Sequence, residues 1–89
     1  MPKQTVFIKN KLGLHARAAS QIVNLASQYT SEVTIQKGNV TANGKSLLGI
    51  LTLDAPLGSE LLIDVNGSDA QELLTKLVEL IENKFGEKN

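Results

Sequence analysis

The 89-residue sequence contains no cysteine and a single histidine, His15. Without thiols the chain forms no disulfide, no cysteine nucleophile and no cysteine zinc site, and one imidazole cannot build a multi-histidine metal site. The carboxylates do not cluster as an oxygen-ligand metal site requires. We therefore expect a protein without a metal cofactor.

Long apolar runs are also lacking. The first residues, MPKQTVFIKN, have no signal-peptide core, and the longest apolar stretch, LLGILTL, is too short and too broken to cross a membrane. The length suits one domain, residues 1–89, with one modest core. A chain of this size is better suited to a module than to a self-contained enzyme. These features predict a soluble cytoplasmic protein that does not insert into a membrane.

The formal net charge is zero, but the charges are unevenly distributed along the chain. Residues 1–45 carry six basic groups and one acid, a net charge of +5, whereas residues 46–89 carry three basic and eight acidic groups, a net charge of −5. This asymmetry suggests that the region around His15 meets a negatively charged partner. The two halves could equally neutralise each other in the fold.

Alternating apolar residues predict four strands. QTVFIK alternates Val6 and Ile8 with Thr5, Phe7 and Lys9, and EVTIQK has the same alternation from residue 32. Gly38 and Asn39 then give a hairpin turn into VTA, and ELLIDV supplies a fourth strand. Half-apolar strands are typical of an antiparallel sheet that is covered on one side.

A helical period marks the remaining segments. Apolar residues spaced i, i+3, i+4 and i+7 predict an amphipathic helix over residues 16–27, and a longer stripe runs from Ala70 to Phe85. Ser68 and Gln71 suggest a capping box at its start, and Gly86 a stop. Ser46 could cap a brief helix in SLLGILT. The resulting order, β-α-β-β-α-β-α, predicts an α+β open-faced sandwich with three helices on one face of a four-stranded antiparallel sheet.

His15 should lie at the N-terminus of the first helix, after a bend that Gly13 allows. Free helical amides and peptide dipoles at that position favour an anion and disfavour an imidazolium, so the ring would lean towards its neutral, nucleophilic form. A phosphoryl group on the ring would face those amides and Arg17, which suits phosphate recognition. The alternative is a histidine that merely caps the helix or lies in solvent. A serine triad is poorly supported, since the chain has no GxSxG sequence and no acidic residue before Glu32.

The stretch KNKLGLHARAAS resembles the active-site segment of the HPr family, the histidine-containing phosphocarriers of the bacterial phosphotransferase system, and GKSLLGILTL resembles that family's second motif. The similarity covers essentially the whole chain. It implies a phosphoryl carrier with a phosphohistidine intermediate, rather than a stand-alone enzyme, that works without a metal or a nucleotide. It implies that a monomer takes phosphate from Enzyme I, which phosphoenolpyruvate charges, and passes it to a IIA protein or domain.

Residue by residue, the resemblance makes His15 the phosphoacceptor at Nδ1 and Arg17 the cation beside the phosphoryl group. Ser46 matches a serine that an HPr serine kinase/phosphorylase modifies in some bacteria. Leu47, Leu48 and Gly49 match part of the partner-docking surface. From the helical pattern alone, either leucine could instead belong to the core.

Two positions depart from the family pattern. Ala18 stands where proline is common, and alanine should keep the helix while adding a free amide. Leu12 replaces a short polar residue, and Lys11-Leu12 is more similar to nitrogen-branch relatives than to sugar-transport ones. A nitrogen-branch protein is therefore an alternative. A mainly regulatory protein, which keeps Ser46 and a docking surface and acts through protein docking, is another. RNA binding is poorly supported, because Phe7, Tyr29 and Phe85 are the only aromatic residues and no RNA-recognition motif is present.

Overall fold

A computed structural model describes residues 2–89 and shows one antiparallel sheet with three helices packed on one of its faces. The strand order is β1-β4-β2-β3, and the elements alternate as the sequence predicts. The bounds are β1 Lys3–Phe7, α1 Ala16–Ala26, β2 Glu32–Lys37, β3 Val40–Asn43, α2 Leu47–Leu51, β4 Glu60–Asn66 and α3 Ala70–Glu82. The predicted α+β open-faced sandwich is confirmed.

The sheet buries one face because each strand alternates apolar and polar side chains. On β4, Leu61, Ile63 and Val65 are fully buried, and β1 adds Val6. The β2–β3 hairpin pairs Lys37 with Val40 across two turn residues. The first of them, Gly38, has φ 58°, as a type II′ turn requires. No helix among the described residues is long and apolar enough to cross a membrane.

The start and the end of α3 differ from the sequence prediction. The helix begins after Asp69, so the expected capping box of Ser68 and Gln71 is wrong. It ends at Glu82 rather than running to Gly86. Phe85 does join the core, but from a left-handed turn over Lys84–Gly86 with φ angles of 58°, 57° and 80°. This turn reverses the chain and directs residues 87–89 towards the loop before α1.

Asp69 does not cap α3 with its side chain but binds the chain that enters β2. Its carboxylate accepts hydrogen bonds from the amides of Thr30 and Ser31, both at 3.0 Å, and from the hydroxyl groups of the same residues. The Ser31 hydroxyl, followed by the Thr30 amide, lowers the pKa of Asp69 from 3.8 to about 2. The start of α3 is thereby tied to the start of β2.

Asp69 should make stability depend on pH in the acid range. Its folded-state pKa lies below the unfolded value, so its contribution is complete above pH 3.8 and is lost as the pH falls towards about 2. We expect Asp69→Asn to lower the midpoint of thermal unfolding at pH 7, with a smaller difference from wild type at about pH 2. Glu79→Gln, an exposed change on the same helix, is the control. A difference that stays constant with pH would contradict the assignment.

Candidate functional site

The loop before α1 fixes the position of His15. Gly13 has φ 71°, and a Cβ at this position would lie 2.7 Å from the carbonyl oxygen of Ala55, so the tight approach requires glycine. The next residue, Leu14, donates its amide to that same carbonyl oxygen at 2.8 Å. The bend expected at Gly13 is confirmed, and it places His15 as the N-cap of α1.

The first turn of α1 keeps its free amides. His15 has extended backbone angles (φ −83°, ψ 178°), and its carbonyl accepts the Ala19 amide at 2.8 Å. Its side chain makes no capping hydrogen bond. The amides of residues 16–18 have no hydrogen-bond partner within the described chain. One of these three amides belongs to Ala18, where a proline would have none. An acceptor at this helix end would meet unpaired donors.

The His15 ring contacts the C-terminal segment. Its Nε2 lies 2.5 Å from Oε2 of Glu87, and the two side chains are 27% and 11% exposed. The other carboxylate oxygen, Oε1, accepts a hydrogen bond from Nδ2 of the buried Asn10 at 3.0 Å. The hydrogen bonds from His15 and then from Asn10 lower the pKa of Glu87. Among residues 2–89, Nδ1 of His15 has no hydrogen-bond partner.

An open groove of about 420 Å³ lies beside this histidine. Its lining combines two cations from the first half of the chain, an exposed leucine and the C-terminal residues: Lys11, Leu12, Arg17, Glu87, Lys88 and Asn89. Arg17 is exposed, and its positive charge helps to lower the pKa of Glu87. The Lys11 amide donates to the Asn89 carbonyl oxygen at 2.8 Å, and both residues line the groove. The two oppositely charged halves of the chain therefore meet here.

Ser46 begins α2, as its side chain predicted. Its Oγ accepts the Gly49 amide at 3.0 Å. Leu47 and Leu48 are 39% and 77% exposed, and Ile50 is the fully buried residue of this helix. The alternative that Leu47 or Leu48 belongs to the core is therefore wrong. The chain continues from α2 to Ala55, whose carbonyl oxygen accepts the Leu14 amide in the loop before His15. This hydrogen bond connects the segment after α2 to the histidine site.

Asn10 and Glu87 are site residues that the sequence pattern did not predict. Glu87 lies 72 positions from His15 along the chain, and the turn that brings the two together has a non-glycine residue, Phe85, in a left-handed conformation. No periodic pattern indicates such a contact. Gly86 after the apolar stripe indicated only the end of a helix.

The fold and the site together define a class: small open-faced α+β proteins that present one histidine, with its Nδ1 free, at the N-terminus of a helix. The family model described as "PTS HPr component phosphorylation site" matches residues 2–83, and this chain belongs to that PTS-HPr family. The phosphocarrier protein HPr of Neisseria meningitidis is 42% identical over 87 residues, covering 98% of each chain. The phosphocarrier protein NPr of Shewanella violacea is 40% identical over 85 residues, covering 96% of this chain and 93% of its own.

Solved structures agree with the family assignment. HPr from Thermoanaerobacter tengcongensis superposes with a TM-score of 0.96 and 42% identity, over 100% of both chains. A structure described as an HPr dimer from the same organism has a TM-score of 0.78 over 98% of this chain and 100% of its own. Crh of Bacillus subtilis, described as a swapped dimer, is 34% identical with a TM-score of 0.76, over 94% of this chain and 97% of its own. Proteins with this fold thus include dimers.

Proposed function

We propose that this protein is a phosphocarrier that accepts a phosphoryl group from phospho-Enzyme I on Nδ1 of His15 and passes it to a IIA protein or domain. The observation that carries the proposal is the free Nδ1 of the N-cap histidine beside unpaired helical amides, in a chain of the PTS-HPr family. We propose that residues 1–89 act as one domain, as a monomer in the cytoplasm.

The geometry of the helix N-terminus supports a phosphoryl group on Nδ1 of His15. An N-cap side chain usually accepts hydrogen bonds from the second or third helical amide, and an imidazole with its Nε2 turned to Glu87 does not do so. Phosphoryl oxygens on Nδ1 would supply the missing acceptors for the Arg17 and Ala18 amides. Helix-end amides and a guanidinium favour a group of this charge. The substitution of alanine for the common proline thus adds a donor.

Transfer through a loose transition state needs alignment and charge stabilisation more than a deep pocket. An open groove lets the facing protein supply the remaining groups. We propose that exposed apolar side chains of Leu47 and Leu48, with Gly49, form part of the docking surface. Such small surfaces are typical of transient complexes between relay partners.

Phosphorus NMR tests the proposed function directly. After incubation with phosphoenolpyruvate and Enzyme I, the wild-type protein should show one acid-labile signal of an Nδ1-phosphohistidine. Addition of a IIA protein should remove that signal. A protein that stays unmodified while a known HPr is phosphorylated in the same mixture would refute the proposal.

Arg17 should accelerate transfer, because a guanidinium near the groove stabilises the phosphoryl group more in flight than at rest. We expect Arg17→Ala to slow transfer at least about tenfold, equivalent to about 1.4 kcal/mol of transition-state stabilisation. Arg17→Lys should recover part of the rate, since it keeps the charge but loses the planar fork. Rapid-quench assays in both directions measure the rates. Unchanged rates for Arg17→Ala would leave Arg17 as a solvated charge.

The position of Ser46 also supports a regulatory role through docking. Ser46 caps α2, which carries the highly exposed Leu48, so a modification of Ser46 by an HPr serine kinase would place charge at the proposed docking surface.

Leu12, which is 70% exposed on the groove, distinguishes the chain from the usual sugar-branch pattern and is compatible with the nitrogen branch. A comparison of transfer rates to purified sugar-branch and nitrogen-branch IIA proteins distinguishes the two branches.

A further inference from the structure

The Glu87 side chain reaches His15 from the far end of the chain and is firmly held there. The buried Phe85 and the left-handed turn around it fix the direction of the segment that follows. Asn10, which is fully buried, donates through Nδ2 both to the Gly13 carbonyl oxygen at 2.8 Å and to Glu87 Oε1 at 3.0 Å. A single amide group therefore connects the Glu87 carboxylate to the loop that carries His15.

An ionised carboxylate only accepts hydrogen bonds, so the ring nitrogen that faces Glu87 must carry a proton. In a neutral imidazole with its proton on Nε2, the other nitrogen, Nδ1, has the free lone pair. The negative charge of Glu87 would also repel an incoming phosphoryl group from Nε2. Both effects direct the reaction to Nδ1.

We propose that Glu87 is a positioning residue for phosphoryl transfer: its carboxylate, oriented by Asn10, keeps the proton of His15 on Nε2 and leaves Nδ1 as the nucleophile. This inference rests on the proposed function and concerns the same site. In the transfer step, the Nδ1 lone pair forms the bond to phosphorus, while the bond between phosphorus and the donor atom breaks and its electron pair leaves with the donor. The ring gains positive charge, and its Nε2 proton stays hydrogen-bonded to Glu87.

The substitution Glu87→Gln gives a sharp test because Asn10 would orient the new amide. The Asn10 Nδ2 is a donor, so it would bind the oxygen of the glutamine side chain and leave the NH₂ group to face His15. Nε2 would then have to accept, and the ring proton would move to Nδ1. Glu87→Ala would instead leave the ring to water. Glu87→Gln should therefore slow phosphoryl uptake more than Glu87→Ala does. A purely structural role of Glu87 would not produce this order.

Nitrogen-15 NMR of the His15 ring at about pH 9, where an ordinary imidazole is neutral, reports the protonated nitrogen without any phosphoryl donor. We expect wild type and Glu82→Gln, the matched control outside the site, to hold the proton on Nε2. We expect Glu87→Gln to shift it to Nδ1 and to slow phosphoryl uptake at least about tenfold, more than Glu87→Ala does.

A wild-type proton on Nδ1, or a Glu87→Gln variant that matches Glu82→Gln in both ring spectrum and rate, would overturn the proposal. Amide spectra of each variant verify that it folds. Failure of the proposed function itself would look different, because the wild type would then take up no phosphoryl group while the ring spectra would still reveal whether Glu87 fixes the tautomer.

Discussion

His15→Ala should abolish phosphoryl uptake from Enzyme I while leaving the domain folded. The chain has no other histidine that could accept the group, so the expected loss is complete rather than partial. The effect on stability should be small, because the His15 side chain caps no helical amide and is partly exposed. The variant loses the hydrogen bond between His15 and Glu87, but the Glu87 carboxylate still accepts a hydrogen bond from Asn10.

Radiolabelled phosphoenolpyruvate with Enzyme I measures uptake, and thermal unfolding measures stability. We expect the midpoint of His15→Ala to lie within about 5 °C of wild type. His15→Asn is the companion variant: it introduces a side chain that can cap α1, so it should fold at least as well and still take up no phosphate. Uptake by either variant at the wild-type level would show that the phosphoacceptor is another residue.

Ser46→Asp should weaken binding to Enzyme I more than tenfold without melting α2. Aspartate is a good N-cap, so the bond from the Gly49 amide can be kept, and negative charge is favourable at a helix N-terminus. The new charge would lie at the base of the helix that exposes Leu48. An apolar or acidic partner surface would have to desolvate or oppose it, and a cost of about 1.4 kcal/mol already lowers affinity tenfold.

Ser46→Asn is the matched control, because it caps the helix with a side chain of similar shape and no charge. Calorimetric titration of Enzyme I with both variants isolates the charge. Equal affinities for Ser46→Asp and Ser46→Asn would reduce Ser46 to a helix cap. The His15 ring spectrum should be the same in both, since the predicted switch acts on docking and leaves the chemistry of the histidine unchanged.

Local patterns in the sequence were sufficient to predict the parts of the protein that depend on local chemistry. The alternation of apolar residues predicted β1, β2 and β4. It also predicted that Leu61, Ile63 and Val65 of β4 point inward, because side chains of a strand alternate between its faces. Gly13 before HARAA indicated the bend and the helix start, and Ser46 indicated the cap of α2. These signals act within a few residues, so the pattern alone predicted the fold class and the place of His15.

Tertiary structure alone decided what meets the histidine. The expected capping box at α3 did not form, and the carboxylate of the N-cap residue Asp69 instead accepts four hydrogen bonds from the chain entering β2. The helix ended at Glu82, before the end of the apolar stripe, and Phe85 is buried from a left-handed turn despite its backbone preference. That turn brings Glu87 to His15 across 72 positions of the chain. Contacts of such separation depend on packing between elements, for which local periodicity contains no signal.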